Sequence, residues 1–373
     1  MKSKLKITTI NDEISDDLNE TIEFLKAHGI KYVELRTIQK KNLIDYSLEE
    51  AREIRETLSK NGISVSAFAS PLFKWYPNNN KGESQEKVAA FGFNPQLNEI
   101  AKREYIAKAI VVAKALGTHN LRLFSSLKIP STKYSFLSDP LFGFALNEAR
   151  KAGVKFLLEN EPPCYIHKMS DIKDVARKFS NQNLGIWFDV ANFYKIKEQV
   201  FKKDLEELKD DIGYFHLKDF DETGNYIALG EGVINYKRII SDIRKVFGDR
   251  DIFLSIETHV RSDPKEATEK SLQTLNKLLS EHRVGYGIVG CGQVFEKHGS
   301  AVSRNEYSEL RAVFDIDKDK ARTASKKFDC EVKSSFEKIL TDPTIDVVNI
   351  RTPNDTHARL VLETLESGKH CLC

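Results

Sequence analysis

Short apolar segments typical of strands alternate with amphipathic segments typical of helices, almost from the first residue of the chain. Residues 5–10 and 32–35 are the first two predicted strands, and a helix is predicted between them. Eight such strand–helix units fit into the first part of the chain, and eight units of this length are what a closed (β/α)8 barrel requires. The alternation therefore predicts an α/β fold whose first domain, residues 1–282, is an eight-stranded parallel barrel.

The same alternation begins again after residue 282. A predicted strand over residues 284–289 is followed by Gly290-Cys-Gly292 and a helix, and the next strand ends at Asp315. This order is that of the first half of a Rossmann fold, in which glycine lets the backbone approach a pyrophosphate at a helix N-terminus. Asp315 would accept a hydrogen bond from a ribose 2′-hydroxyl, which favours NAD over NADP. Residues 283–373 are therefore predicted to form a partial Rossmann domain for NAD.

The overall composition argues against several classes of partner. The net charge is +2, with 40% apolar and 30% charged residues, so no large basic face for nucleic acid is expected. The sequence has no apolar run near the ~20 residues of a membrane span, and its N-terminus lacks a signal-peptide core. The five cysteines are scattered without a CxxC pair, which argues against a disulfide or zinc framework. These features predict a cytoplasmic protein with neither nucleic acid nor membrane as partner.

Acidic residues and a histidine stand at the ends of four consecutive predicted strands of the first domain: Glu159, Asp189, His216 and Glu257. The carboxyl ends of barrel strands meet at one mouth, so these four groups are expected to converge. Three carboxylates and one imidazole suit a divalent ion, with Mn²⁺, Mg²⁺, Co²⁺ and Zn²⁺ all compatible. Glu161 faces the same side of an extended chain as Glu159 and is an alternative ligand, a substrate partner or half of a salt bridge. The pattern predicts a metal site.

Residues 1–282 resemble the xylose-isomerase-like TIM barrels, the sugar phosphate isomerase/epimerase superfamily. The resemblance rests on LLENEP (157–162), FDVAN (188–192), FHLKD (215–219), GEG (230–232) and SIETH (255–259). It implies that the metal ligands are Glu159, Asp189, His216 and Glu257. It also implies that Glu159 and Glu257 are the acid–base pair that moves a proton between carbons of a sugar, keto-sugar or cyclitol.

Further residues are candidates for substrate hydroxyls: Glu34, Arg36, Glu161, Lys218 and Arg261. Ion pairing between strands or at the surface is the alternative for each of them. Many family members carry a histidine three residues after the sixth-strand aspartate, where this chain has Asn192. The apurinic endonucleases of this fold use several extra histidines, and the nine histidines here do not fall at those strand ends. DNA repair is therefore disfavoured.

Residues 284–373 resemble the start of the Gfo/Idh/MocA oxidoreductases, which include glucose–fructose oxidoreductase and inositol dehydrogenase. The resemblance rests on residues 287–298, 315–321 and 352–370. The cofactor-binding residues it implies are Gly290, Gly292, Gln293, Val294, Asp315, Thr352, Pro353, Asn354 and His357. In that family a catalytic lysine within Glu-Lys-Pro comes next, just beyond Cys373. The expectation is a truncated or vestigial NAD module that does not transfer hydride by itself.

The sequence thus predicts a metal-dependent isomerase or epimerase acting on a small carbohydrate. One alternative is a lyase similar to inosose dehydratases, because a metal and carboxylates that remove a proton beside a ketone can also eliminate water. A second is a fragment of a bifunctional NAD-dependent sugar oxidoreductase. A third, from another class, is a binding module without turnover, which predicts no bound metal. A homo-oligomer is compatible with the sequence.

Overall fold

The computed structural model describes residues 5–77, 97–129, 134–179, 183–248, 250–280, 283–305 and 308–373. It divides the chain into two compact units, Met1–Leu279 and Ser280–Cys373. The first is an eight-stranded parallel α/β barrel and the second has a five-stranded parallel sheet, so the predicted fold class is confirmed. Residues 281 and 282, at the predicted domain junction, lie outside the described residues. Within the described part of the chain, no helix is both long and apolar enough to cross a membrane.

The barrel strands follow one another around the first unit. In chain order they are β1 (Leu5–Thr9), β2 (Tyr32–Leu35), β3 (Ser64–Leu72), β4 (Asn120–Leu123), β5 (Lys155–Glu159), β6 (Leu184–Asp189), β7 (Ile212–Leu217) and β8 (Ile252–Ile256). Each strand from β2 to β8 pairs in parallel with its sequence neighbour, and β8 pairs with β1 from Leu5↔Ile252 onward. A single parallel bridge between Ile10 and Glu34 links the ends of β1 and β2. The barrel therefore closes at a short seam.

Helices cover the outside of the barrel. They are α1 (Leu18–Ala27), α2 (Leu48–Lys60), α3 (Glu99–Ala115), α4 (Pro140–Ala152), α5 (Met169–Phe179), α6 (Val190–Lys195), α7 (Lys202–Glu207), α8 (Tyr236–Phe247) and α9 (Pro264–Ser280). Their ends follow local chemistry: Ser47 and Glu50 form the capping box that the sequence predicts at the start of α2. The main hydrophobic core lies between these helices and the outer face of the strands.

The region between β6 and β7 differs from the prediction. The sequence predicts one charged helical region over residues 194–209, and the structure has α6 and α7 instead. The first of these begins directly at Asp189, whose carboxylate accepts the N–H of Asn192, and it ends before Lys197, which has a φ of 63°. The second begins where Asp204 accepts the N–H of Phe201. The prediction was wrong because side-chain caps, which charge content does not reveal, set both starts.

Large side chains fill the inside of the barrel below its mouth. Leu157, Trp187 and Tyr214 form a buried cluster, with the two aromatic ring centroids 3.9 Å apart. A Cβ on Gly185 would lie 2.7 Å from Leu157 Cδ2, so glycine leaves the room that this leucine occupies. The ring of His216 stands edge-on to Trp187 at 4.9 Å. The packed interior thus forms a floor that supports the histidine at the mouth.

The second unit is a parallel sheet with helices. Its strands are β9 (Val284–Val289), β10 (Ser308–Phe314), β11 (Glu331–Val332), β12 (Val347–Ile350) and β13 (His370–Leu372), in the spatial order β11–β10–β9–β12–β13. Its helices are α10 (Phe295–Arg304), α11 (Lys318–Phe328), α12 (Phe336–Leu340) and α13 (Asn354–Glu366). The strand order reverses direction at β9, which is the switch point where such sheets bind ligands.

Candidate metal centre and active site

The four predicted ligands come together at the mouth of the barrel. Glu159 and Asp189 end β5 and β6, His216 lies near the end of β7, and Glu257 follows β8. His216 Nδ1 is 3.0 Å from Glu159 Oε1, 3.1 Å from Glu257 Oε2 and 3.9 Å from Asp189 Oδ2. One candidate ligand atom from each residue lies within 4.8 Å of all the others. All four side chains are buried, so the strand-end pattern produces one compact cluster.

Buried cations surround the three carboxylates. Arg122 Nη1 lies 3.2 Å from Glu159 Oε2. Lys218 Nζ lies 2.7 Å from Asp189 Oδ2 and 2.9 Å from Glu257 Oε2. Buried carboxylates need such partners, because desolvation of an unpaired charge is costly.

Opposing effects set the pKa values of the two predicted acid–base residues in the metal-free protein. Burial alone would raise the pKa of Glu159, but Arg122 and His216 outweigh it and lower that pKa to about 2. Burial also acts to raise the pKa of Glu257, and His259, Lys218 and His216 together lower it well below its ordinary value. Both residues are therefore carboxylates at neutral pH, which is the form that accepts a proton or holds a cation.

The pKa values of the other two residues of the cluster, Asp189 and His216, are raised. Burial, together with the charges of Glu159 and Glu257, raises the pKa of Asp189 to about 6 against the pull of Lys218. Burial acts to lower the pKa of His216, but the surrounding carboxylates raise it well above the ordinary value. The metal-free cluster thus holds a carboxylate close to protonation beside an imidazole that retains its proton.

The chemistry of the cluster fits a divalent ion. Within the described residues, Glu159 Oε2 and Asp189 Oδ2 are buried and have no hydrogen-bond partner. Arg122 and Lys218 lie within ion-pair distance of these atoms without forming hydrogen bonds to them. Unsatisfied buried oxygens are rare and call for a partner, which a cation would be. Three carboxylates and one imidazole are a donor set for Mn²⁺, Mg²⁺, Co²⁺ or Zn²⁺.

Two asparagines, which the sequence did not single out for this role, fix the turn after β5. Asn160 donates to the Asp189 carbonyl at 2.9 Å and accepts the Asp189 N–H at 2.8 Å. Asn192, where many family members have histidine, donates to the Asn160 carbonyl and to Glu161 Oε2. Glu161 also accepts from Lys74 Nζ at 2.9 Å. Glu161 therefore lies beside the cluster with partners of its own, outside the group of four ligand atoms.

The remaining substrate-binding candidates occupy different environments. Lys218 is buried among the carboxylates, whereas Arg261 is exposed. Arg36 Nη1 lies 3.1 Å from Glu257 Oε1, and the same guanidinium contacts Asp12 and Glu13. Arg36 therefore forms an ion pair with Glu257 while being held itself by Asp12 and Glu13.

Glu34, a predicted substrate contact, lies against the ring of His216. It is fully buried, and its two oxygens are 3.1 and 3.0 Å from His216 Nε2. Because Nδ1 of the same ring faces Glu159 and Glu257, Glu34 is on the other side of the imidazole from the ligand cluster. The sequence signal for this contact was weak, because it crosses the barrel between β2 and β7.

Several supporting residues were missed by the sequence reasoning. Arg122 is the third residue of a four-residue buried strand, and a charge at such a position is a signal that could have been followed. Glu13 accepts the backbone N–H groups of Thr258 and His259 and so holds the segment after β8. It lies in a 3-10 turn with no motif around it, and nothing in the sequence marked it.

The predicted cofactor residues of the second unit gather at the carboxyl edge of its sheet. Gly290 follows β9 with a φ of 96°, and a Cβ there would lie 2.5 Å from the Arg351 carbonyl oxygen. A Cβ on Gly292 would meet nothing within 4 Å, so this turn is open on the side where a phosphate would approach. Gln293 and Val294 continue the turn into α10. Asp315 Oδ2, predicted to bind ribose, accepts the Cys291 N–H at 2.6 Å.

The second half of this candidate site follows β12. Thr352 and Pro353 connect the strand to α13, whose first residue is Asn354. A ring nitrogen of His357, Nε2, lies 2.7 Å from the Thr352 carbonyl oxygen. The connection is therefore held by its own helix, beside the glycine turn of β9.

Comparison with known proteins gives two family matches. Residues 22–278 match the xylose isomerase-like TIM barrel family, and residues 284–373 match the NAD-binding Rossmann fold of an oxidoreductase family. Inosose isomerase of Bacillus licheniformis is 21% identical over 72% of this chain and 93% of its own length. Inositol 2-dehydrogenase of Rhizobium meliloti is 36% identical over 24% of this chain and 27% of its own length. The chain spans about a quarter of the length of the first curated relatives it matches.

Solved structures show the barrel fold. The E. coli 3-keto-D-glucoside 4-epimerase YcjR has a TM-score of 0.56 at 16% identity, covering 73% of this chain and 99% of its own. The IOLI protein, whose structure contains a zinc atom, has a TM-score of 0.55 at 17% identity, covering 74% of this chain and 98% of its own. The residues matched make up more than half of the chain, and the chain therefore belongs to the xylose isomerase-like TIM barrel family, with an NAD-binding Rossmann domain of the oxidoreductase family following the barrel.

Proposed function

We propose that the first unit is a divalent-metal-dependent isomerase or epimerase that moves a proton between carbons of a sugar, keto-sugar or cyclitol. The observation that carries this proposal is the convergence of Glu159, Asp189, His216 and Glu257 at the barrel mouth. The relatives named above support the substrate class, because an inosose isomerase and a ketoglucoside epimerase both act on polyhydroxylated carbonyl compounds. The cluster supports proton transfer, because two of its carboxylates are held ionised at neutral pH.

The residues around the cluster have separate roles in metal binding, in proton transfer and in fixing the carboxylates. A divalent ion bound by the four residues would polarise neighbouring substrate oxygens and acidify the adjacent C–H bond. Glu159 and Glu257 lie on opposite sides of Asp189 and His216 in strand order, and each is the candidate to take or return a proton at carbon. Arg122 and Arg36 fix one oxygen of each of these two carboxylates. The other oxygens of these carboxylates, Glu159 Oε1 and Glu257 Oε2, face His216 Nδ1.

Metal analysis is the first test. Purified wild-type protein should hold about one divalent ion per chain, and Asp189→Ala should lose it. The control is Asp204→Asn, which changes a buried carboxylate paired with Lys173 on the outside of the barrel and should retain the ion. A folded wild type that binds no divalent ion would refute the metal proposal.

Solvent exchange tests the reaction itself. Incubation in deuterated water with a panel of keto-sugars and keto-cyclitols should place deuterium on carbon in wild type and not in Glu159→Gln. Release of water with formation of an unsaturated product would identify the lyase alternative. Metal binding without exchange or elimination on any member of the panel would refute proton transfer on these substrates.

We further propose that the second unit binds NAD at the glycine turn. Its support is the open approach at Gly292 and the family match over residues 284–373. NAD titration monitored by calorimetry should saturate in wild type, and Asp315→Ala should weaken it. Loss of the Cys291 contact could also disturb the turn, so the melting temperature of the variant is measured alongside. Absence of saturable binding would contradict the proposal.

A further inference from the structure

The imidazole of His216 lies between two sets of acidic groups. Its Nδ1 faces the carboxylates of Glu159 and Glu257 at 3.0 and 3.1 Å. Its Nε2 faces Glu34, at 3.0 and 3.1 Å from the two carboxylate oxygens. The ring thus has one nitrogen directed at the ligand cluster and the other at Glu34, which is in neither group of candidate metal ligands found among the described residues.

Glu34 is itself held in place. The Ser255 hydroxyl donates to Glu34 Oε2 at 2.6 Å, and both side chains are fully buried. Ser255 is the register partner of His216 on the adjacent strand, so the serine and the histidine enter the barrel at the same level. The backbone of Glu34 forms the parallel bridge to Ile10 that closes the barrel. A carboxylate fixed at both its backbone and its side chain can define the orientation of the ring it contacts.

A carboxylate at one ring nitrogen determines which nitrogen keeps its proton. An ionised carboxylate accepts hydrogen bonds and cannot donate one. Carboxylates face both ring nitrogens, so a cation on the Nδ1 side would leave the N–H of a neutral imidazole on the side of Glu34. The lone pair is then on Nδ1, directed at the cluster. Metal-bound histidines generally use such an arrangement, and loss of the outer carboxylate typically weakens metal affinity about 10–100-fold.

We infer that Glu34 is a positioning residue for the metal centre, which holds His216 as the Nε2–H tautomer so that Nδ1 binds the divalent ion. This inference rests on the proposed metal-dependent function. It replaces the substrate-contact role that the sequence suggested for Glu34. It also makes Ser255 the residue that orients Glu34, so that Ser255 would act on the ion only through Glu34 and His216.

The dissociation constant for Mn²⁺ or Zn²⁺ tests this role. Glu34→Gln should weaken binding about 10–100-fold, and Ser255→Ala should weaken it by a smaller factor because the carboxylate remains. Asp204→Asn is the matched control, since it is the same change of a buried acid to an amide away from the cluster, and its metal affinity should stay within about twofold of wild type. A merely structural role for Glu34 predicts that both acid-to-amide variants lose thermal stability while both keep wild-type metal affinity.

A second measurement on the wild type does not depend on the folding of a variant. With nitrogen-15-labelled histidine and bound Zn²⁺, one imidazole should show a proton on Nε2 and a metal-shifted Nδ1. The reverse pattern at His216, or a folded Glu34→Gln protein with wild-type affinity, would overturn the inference and leave the proposed function intact. A wild type without metal affinity would instead refute the proposed function, and this inference with it.

Discussion

Replacing Arg122 measures how much its charge contributes to the stability of the cluster. Its guanidinium is 6% exposed and lies beside Glu159, which is 2% exposed. Breaking a buried pair by removing one partner costs roughly 3–5 kcal/mol. The pKa of Glu159 points in the same direction, because Arg122, together with His216, lowers it to about 2 against the effect of burial. Arg122→Met should therefore lower the free energy of unfolding of the metal-free protein by about 3 kcal/mol at pH 7.

The pH dependence of this difference has a definite sign. A carboxyl group whose pKa is lowered on folding contributes stability above its unfolded pKa, and this contribution is lost as the pH falls through its folded pKa. For Glu159 the window runs from 4.5 down to about 2. The stability gap between wild type and Arg122→Met should therefore narrow as the pH falls through this window. A bound divalent ion supplies Glu159 with another counter-charge, so saturating metal should also reduce the gap at pH 7.

Urea unfolding with EDTA and with saturating Mn²⁺ measures both effects. Lys173→Met is the control, because Lys173 pairs with the buried Asp204 at 2.8 Å on the outside of the barrel. Its loss of stability should be the same with and without metal. A loss of unfolding free energy below about 1 kcal/mol for Arg122→Met in EDTA would refute the stabilising role of Arg122. A loss that bound metal does not change would refute the idea that the ion replaces its charge.

Two further predictions concern the second unit and the thiols. Gly290→Ala should destabilise the second unit by about 2 kcal/mol or more, because φ at this position is positive and the added Cβ would overlap Arg351. Gly292→Ala should lower stability by less than about 1 kcal/mol and mainly weaken NAD binding. Calorimetric unfolding compares the two variants, and equal losses of stability would contradict the reasoning. Burial raises the pKa of Cys164 to about 12, so this thiol should resist iodoacetamide at pH 8 while the exposed Cys373 reacts. Peptide mapping by mass spectrometry measures the labelling of both cysteines, and early labelling of Cys164 would show that its surroundings open.

The ligand cluster was predictable because it depends on local rules. Strand residues alternate between two faces, and the carboxyl ends of parallel strands share one mouth, so Glu159, Asp189 and His216 could be placed together from the sequence. The structure brings them within contact distance. Strands β1 and β2 were also predicted within a residue of their observed bounds, because their apolar runs are short and sharply ended.

The supports of the cluster were harder to predict because they depend on contacts across the barrel. Glu34 and His216 are 182 residues apart, and their strands face each other only once the barrel has closed with a particular stagger. Arg36 was predicted to contact substrate or to form an ion pair, but its partners could not be named from the sequence. Its ion pairs with Asp12 and Glu13 depend on the path of the segment after β1. Long-range packing of this kind leaves no periodic signal in the sequence.

The seam between β1 and β2 has a consequence for the kinetics of folding. Strand β1 pairs with β8, whose residues are more than 240 positions away, and it meets β2 at the single bridge between Ile10 and Glu34. Contacts so distant in sequence are slow to form, because the intervening chain must first be ordered. Glu34 forms the bridge at this seam and Glu257 directly follows β8, so we expect these two carboxylates to reach their places around His216 late in folding. Interactions absent from the folding transition state act on the unfolding rate, so a bound ion should act mainly by slowing unfolding and hardly by speeding folding.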